Sequence, residues 1–538
     1  MREDFLSVLK EIDNFTTTEN GAIALKSTKN YLLDAFGSLG AMRDCSVESI
    51  IDKFSKAFFY DKKNATRLLF YMRDVRGGQG QRRVFRICLR WLANNYPEYV
   101  INNMDNILFF GRGDDYLCLF DTPVEDEMVK GVAKILLEDK KAVENGNYPS
   151  MLAKWLPSRN ASSYETKYYA NKFIERLHVT EKEWRVLLSR LRKSIGIVET
   201  LMSQQKWEEI KFDKLPSRAS MAYTDAFIRH QQERYTQYLK DLANNETTVN
   251  AGALFPVDIV HKVYDKFGCG YYSTNTKSNL GARILYDAMW KALPNYFGDT
   301  EETGICVVDT SGSMYGTPME VAVSLGLYCA DKAKGPFKDH FITFSAKPRL
   351  QKIVGEDVVE KIHSLDGTAW DMNTNIEAVF ELILTTAVSA HLPQEDLPSK
   401  LYIISDMQWD YCVVDNDKYS RAELNSIPYY ARDAHRCKPE TFMTKMEKRF
   451  EEAGYKMPNI VYWNVRESEC GMFQKTAGDT NCCMVSGYSA SLFRDIIAGT
   501  EHIEEMNDKG EKVVREKLDP LTVMMKTLGN ERYDVVWA

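Results

Sequence analysis

Apolar positions recur at helical spacing through roughly the first 295 residues of the chain. Residues 48–59, 84–92, 129–137 and 184–191 each place them at i, i+3 and i+4, the stripe by which a surface helix meets a core. Helices of this size bury such stripes against one another. The expectation is an all-α first part, a degenerate helical-repeat array of HEAT-like helix pairs without a strict period. Residues 241–253 are polar and read as a loop, and a further helix over 280–293 ends before Pro294. From about residue 300 the pattern changes. Short apolar runs at 304–308, 340–344, 400–404, 459–463 and 482–485 alternate with helical segments. That alternation predicts an α/β, doubly wound, mostly parallel sheet of Rossmann-like kind. Residues 501–519 are charged, and 520–538 read as a short closing helix and tail. The predicted boundaries are a helical domain over 1–298, an α/β domain over 299–505, and a segment over 506–538 that packs back.

Composition changes this picture little. A chain of 538 residues exceeds one ordinary core, and 44% hydrophobic with 27% charged residues is usual for a folded water-soluble chain. A net charge of −7 argues against a uniformly basic nucleic-acid coat and leaves room for a local basic surface. No apolar run approaches membrane-spanning length, and the first ten residues mix acids among the apolar positions, unlike a signal peptide. The eleven cysteines are scattered without a C-x-x-C pair. Reduced thiols and a cytoplasmic location are therefore expected, with no membrane partner.

Candidate chemistry begins at Asp309-Thr-Ser-Gly-Ser313, which follows the strand-like 304–308. The next helix opens with Pro318. Asp309, Ser311 and Ser313 thus stand at the carboxyl end of a strand, where an open α/β sheet builds its sites. One carboxylate and two hydroxyls are hard oxygen ligands that suit Mg²⁺ or Mn²⁺. A solvated turn with a helix cap is the alternative. A phosphate loop of the Walker type is excluded, since no Gly-Lys-Ser/Thr follows the strand.

The first part is locally basic. Arg73, Arg76, Arg82, Arg83, Arg86 and Arg90 cluster around Gly77-Gly-Gln-Gly80. Arginines beside the start of a helix make a phosphate-binding arrangement. The alternative is a face whose arginines pair with acids elsewhere. A second group is Arg185, Arg190, Arg192 and Lys193. A third is Arg218, Arg229, His230 and Arg234, beside Tyr223, Phe227 and Tyr235. Aromatic residues among arginines are what single-stranded RNA binding uses, although each group alone also fits a solvated helix face, and His230 a structural histidine.

Asp309-x-Ser-x-Ser313, with a later Thr and a later Asp, resembles the metal-ion-dependent adhesion site (MIDAS) of von Willebrand factor A (vWA) domains. By that resemblance Thr374 matches the Thr, with Thr368 as second choice, and Asp406 matches the last Asp. The implied ligands of Mg²⁺ or Mn²⁺ are Asp309, Ser311, Ser313, Thr374 and Asp406. A helical, arginine-bearing first part followed by such a domain resembles the Ro autoantigen family, with its ring-forming TROVE module. The runs 73–86, 107–115, 154–157, 254–256 and 485–489 are similar to a distant, uncharacterised bacterial and phage branch. The resemblance implies a non-catalytic ribonucleoprotein scaffold that binds small or misfolded RNA with single-stranded ends. The alternative it implies is a protein–protein adaptor whose metal takes an acidic side chain of its partner. Trp370 and Trp409, each close in sequence to a proposed ligand, are then an aromatic rim, or else core residues. An enzyme is not expected: the eight histidines are scattered, and the metal motif lacks the second carboxylate cluster of two-metal nucleases.

Overall fold

Local chemistry sets where the helices begin. The hydroxyl of Ser46 accepts from the Ser49 amide to start the helix Val47–Tyr60, and Asp61 does the same for Lys62–Arg73. Thr180 and Glu183 form a reciprocal capping box on the helix Glu181–Ile195, which ends at the left-handed Gly196. Arg83–Asn95 buries Val84, Phe85, Cys88, Leu89 and Leu92 along one stripe. Val47–Tyr60, Arg83–Asn95 and Glu181–Ile195 cover segments whose periodicity predicted a helix, as do Glu125–Glu144 and Leu280–Lys291.

The computed structural model describes residues 14–19, 22–268, 279–300, 303–344, 348–365, 376–409, 442–467, 473–506 and 512–538. The N-terminal part is mostly helical and the C-terminal part holds a mixed α/β sheet. Two short strands precede the helices: β1 (Phe15–Thr17) and β2 (Ile23–Leu25), paired antiparallel.

The large sheet comprises β3 (Ile305–Asp309), β4 (His340–Phe344), β5 (Leu350–Lys352), β6 (Lys400–Ser405), β7 (Asn459–Asn464) and β8 (Cys482–Ser486), in the order β5-β4-β3-β6-β7-β8. All neighbours are parallel except β4 and β5. Every residue of β3, β6, β7 and β8 is buried. Strands covered on both faces read as unbroken apolar runs, which is why the sequence shows them. From β3 the chain crosses to β4 on one side, then returns to lay β6 on the other. The strand order therefore reverses between β3 and β6, the position where open α/β sheets place ligands.

The charged stretch after residue 500 is a hairpin rather than an irregular connection. β9 (Glu501–Met506) pairs antiparallel with β10 (Lys512–Lys517). Its Glu516 neutralises the buried Lys400 at the start of β6, 2.8 Å away.

Both chain ends fasten the helical part to the sheet. Ser486, the last residue of β8, donates its hydroxyl to the Phe36 carbonyl at 2.8 Å and accepts from the Gly40 amide at 3.0 Å. A methyl group at Gly40 would lie 2.3 Å from the Ser486 carbonyl oxygen, so only glycine fits this crossing. After the helix Pro520–Leu528, Arg532 Nη2 and the Tyr533 hydroxyl donate to buried Asp74, at 3.0 and 3.3 Å. Asn103 bonds the backbone of Trp537 on both sides, at 2.7 and 2.9 Å. The buried apolar residues form one continuous cluster from Ala22 to Val536.

Candidate metal centre

The centre is built at the carboxyl ends of two neighbouring strands. β3 ends on Asp309, fully buried, and Asp406 follows the last residue of β6. The Asp309 carboxylate accepts from the Ser311 amide at 2.9 Å and from the Ser405 hydroxyl at 2.5 Å. Ser405 in turn accepts from the Met407 amide at 3.0 Å. Met407 takes a left-handed backbone, φ +61°, which lets the chain turn sharply after Asp406. The Asp406 carboxylate accepts from the Gln408 amide at 3.1 Å and bonds the Ser313 hydroxyl. The hydroxyls of Ser311 and Ser313 lie 3.1 Å apart. Arg466, two residues beyond β7, donates Nη1 to the Ser313 carbonyl and so braces the loop. The structure thus brings together four of the five expected ligands. The fifth, Thr374, and its alternative Thr368 lie outside the described residues.

Electrostatics make this a strained pair without a cation. Burial, then the nearby Asp406, push the Asp309 carboxyl up to about 7. Burial is also the largest cause raising Asp406, opposed by the Ser313 hydroxyl, the Gln408 amide and Arg466. Two buried carboxylates beside two hydroxyls are hard oxygen donors, a set that fits Mg²⁺ or Mn²⁺. The hydroxyl of Thr310, next in sequence to Asp309, is buried and lacks a hydrogen-bond partner among the described residues. No group of three or more His, Cys, Asp or Glu converges among the described residues, so the candidate rests on two carboxylates and the hydroxyls beside them. Trp409 is buried against Tyr462, with ring centroids 5.9 Å apart, so it belongs to the core and not to a rim. Trp370 lies outside the described residues.

The arginines are distributed differently from the expectation. Arg73 and Arg86 each donate Nε to Asp115 at 2.7 Å, and Arg86 also pairs with Asp114 at 2.8 Å. Arg83 donates to the carbonyls of Arg43 and Cys45, and Arg192 to those of Ala153 and Leu156 and to the Ser158 hydroxyl. Arg190 stands 3.4 Å from Glu144, and Arg229 donates to the Asp225 carbonyl. His230 stacks on Trp207, with centroids 4.0 Å apart. The Gly77–Gly80 turn does not offer its amides outward: those of Gly78, Gln79, Gly80 and Gln81 bond carbonyls of Asp74, Tyr71 and Met72. Arg76, Arg82 and Lys193 remain exposed, with no side-chain partner among the described residues. Although the Arg82 side chain is exposed, desolvation by its neighbours, then the positive Arg112, hold its guanidinium below its usual range. The sequence reading did not single out Ser405 or Arg466. Ser405 adjoins Asp406 and could have been found, whereas nothing local ties Arg466 to Ser313.

Comparison with known proteins gives no activity. Residues 303–528 match the family model of a domain of unknown function, DUF7788. Residues 18–112 and 149–296 match that of another domain of unknown function, DUF2828. The chain is 27% identical over 562 residues to the uncharacterized protein L728 of Acanthamoeba polyphaga mimivirus, across 97% of this chain and 90% of that protein. These matches overturn the expected Ro and vWA kinship, which rested on the order of two parts and a five-residue pattern that short loops after strands share by chance. None of the described helices is long and apolar enough to cross a membrane. The chain is similar, along both parts, to families whose function is not established.

Proposed function

We propose that this is a divalent-cation-dependent binding protein. The observation that carries the reading is the pair of buried, mutually repelling carboxylates, Asp309 and Asp406, at the strand-order reversal with Ser311 and Ser313 beside them. Mg²⁺ or Mn²⁺ would be held by these four residues, and Thr374 stays the proposed fifth ligand. The ion supplies positive charge and open coordination positions for an oxygen of a bound partner. We read the centre as a binding site because, among the described residues, the hydroxyls of Ser311, Ser313 and Ser405 are engaged with one another and with the two carboxylates. In a thermal-unfolding titration with Mn²⁺, the wild type is expected to gain about 2.7 kcal/mol at a hundredfold excess over Kd, and Asp309→Asn none. Equal responses in the two proteins would rule the centre out.

A second reading is RNA binding by the helical part, whose HEAT-like pairing of helices remains a proposal. It is supported by Arg76 and Arg82, exposed and without described partners beside a helix start. Two phosphate contacts on a single strand predict an affinity fall of about sevenfold between roughly 50 and 200 mM salt, far less than six free arginines would give. Replacing Arg76 and Arg82 with Glu should remove that dependence in a filter-binding assay. Salt-independent binding by the wild type would count against it.

A further inference from the structure

A second charged group stands beside the metal centre on the same edge of the sheet. Tyr488 follows β8, Arg466 follows β7, Asp406 follows β6 and Asp309 ends β3, so four adjacent parallel strands deliver these side chains to one edge. Arg43, from the segment that crosses this edge, places its guanidinium carbon over the Tyr488 ring, 3.9 Å from the centroid. Its Nε and Nη2 are buried and have no hydrogen-bond partner among the described residues. Buried N–H groups of a guanidinium are costly to leave unpaired, and their planar fork fits a tetrahedral or planar oxyanion. Arg466 donates to the Ser313 carbonyl and lies two residues past Asn464, whose partner Ser486 lies two residues before Tyr488, so along this edge it stands between the Ser313 loop and Tyr488. Asp44, Asp258 and Arg218 also act on Arg43. Asp258 is already paired with Arg218 at 3.0 Å, while Asp44 and Glu19 are exposed to water.

We infer that Arg43, Arg466 and the metal centre form one site for a phosphate group. This rests on the metal reading above. The charge balance selects the ligand. A divalent ion and two guanidiniums exceed the two carboxylates by two positive charges. A phosphate dianion cancels that surplus, and a single carboxylate cancels half of it. The contact with Tyr488 holds the fork in place, so the oxyanion meets it without further ordering. The phosphate belongs to a nucleotide or to the end of an oligonucleotide, and both present the same terminal oxygens.

The test uses the full chain. Mn²⁺ binding is measured first by electron paramagnetic resonance. Calorimetry at saturating Mn²⁺ then uses inorganic phosphate, AMP, a 5′-phosphorylated hexanucleotide, its 5′-hydroxyl twin and glutarate. The wild type should bind the phosphorylated probes at least tenfold tighter than glutarate or the hydroxyl twin, and EDTA should abolish the difference. Arg43→Gln should lose tenfold or more for phosphate with Mn²⁺ binding unchanged, and Arg43→Lys, which keeps the charge without the fork, should lose part of it. A hexanucleotide that outbinds AMP identifies a nucleic-acid end, and equal binding identifies a nucleotide. The inference is overturned, with the metal reading intact, if Mn²⁺ binds but phosphate does not. It is also overturned if glutarate binds as tightly or Arg43→Gln binds as the wild type. If Mn²⁺ itself does not bind, the metal reading fails and takes the phosphate site with it.

Discussion

Asp115→Ala is expected to destabilise the protein by about 3–5 kcal/mol, the cost of removing one partner from a buried ion pair. Asp115 is fully buried and accepts from Arg73 Nε, Arg86 Nε and the Arg112 amide, at 2.7, 2.7 and 2.9 Å. Arg73 is itself only 4% exposed, so its charge has no access to water once the carboxylate is gone. Urea unfolding followed by circular dichroism measures the loss. Asp114→Ala is the comparison. Its carboxylate pairs with Arg86 and Arg112 but is partly exposed, so a loss of about 1 kcal/mol is expected there. An Asp115→Ala protein within about 1 kcal/mol of wild type would mean that water reaches Arg73.

The metal-free protein should become less stable as pH rises from about 4 to about 7. The sign follows from the raised carboxyl of Asp309. Burial, then Asp406, lift it to about 7, so across this range the folded state holds a proton that the unfolded chain has released. Stability therefore falls with rising pH, by up to ~1.4 kcal/mol per unit and on the order of 3 kcal/mol in all. The raised Asp406 acts in the same direction. A bound divalent ion takes the proton's place, so saturating Mg²⁺ should flatten the dependence. Asp309→Asn should flatten it without any ion. The measurement is the pH series of unfolding free energy in chelator, wild type minus Asp309→Asn. Curves that run parallel from pH 4 to 8 would mean that Asp309 stays ionised in the metal-free fold.

The features legible in the sequence are those whose cause is local. β3, β6, β7 and β8 were readable because strands buried on both faces carry unbroken Val, Ile, Leu and aromatic runs. β5 was not, because Leu350 and Lys352 are exposed at an edge and impose no pattern. The β9–β10 hairpin was hidden by its charge, since Glu501 and Lys512 face water where a core strand would carry apolar groups. Asp309, Ser311 and Ser313 announced themselves through spacing after a strand. Which arginines are paired was not legible, for a physical reason. Charge density is visible in sequence, but Asp114 and Asp115 neutralise Arg73 and Arg86 from some 30 to 40 residues away. Arg466 meets the Ser313 loop only through the fold, and no spacing rule reaches across such a gap.

The crossing of Gly40 over Ser486 spans 446 residues. At a synthesis rate of about 5–20 residues per second, Gly40 waits roughly 20–90 s for its partner strand to be made. During that time the apolar faces of Leu32, Leu33 and Phe36, buried in the finished protein, have no sheet to cover them. The nascent chain therefore leaves the sheet-facing side of the helix Tyr31–Phe36 uncovered until β8 is made, even after the helix Val47–Tyr60 has packed on it, and its yield should depend on holdase chaperones and on elongation speed more steeply than its final stability suggests.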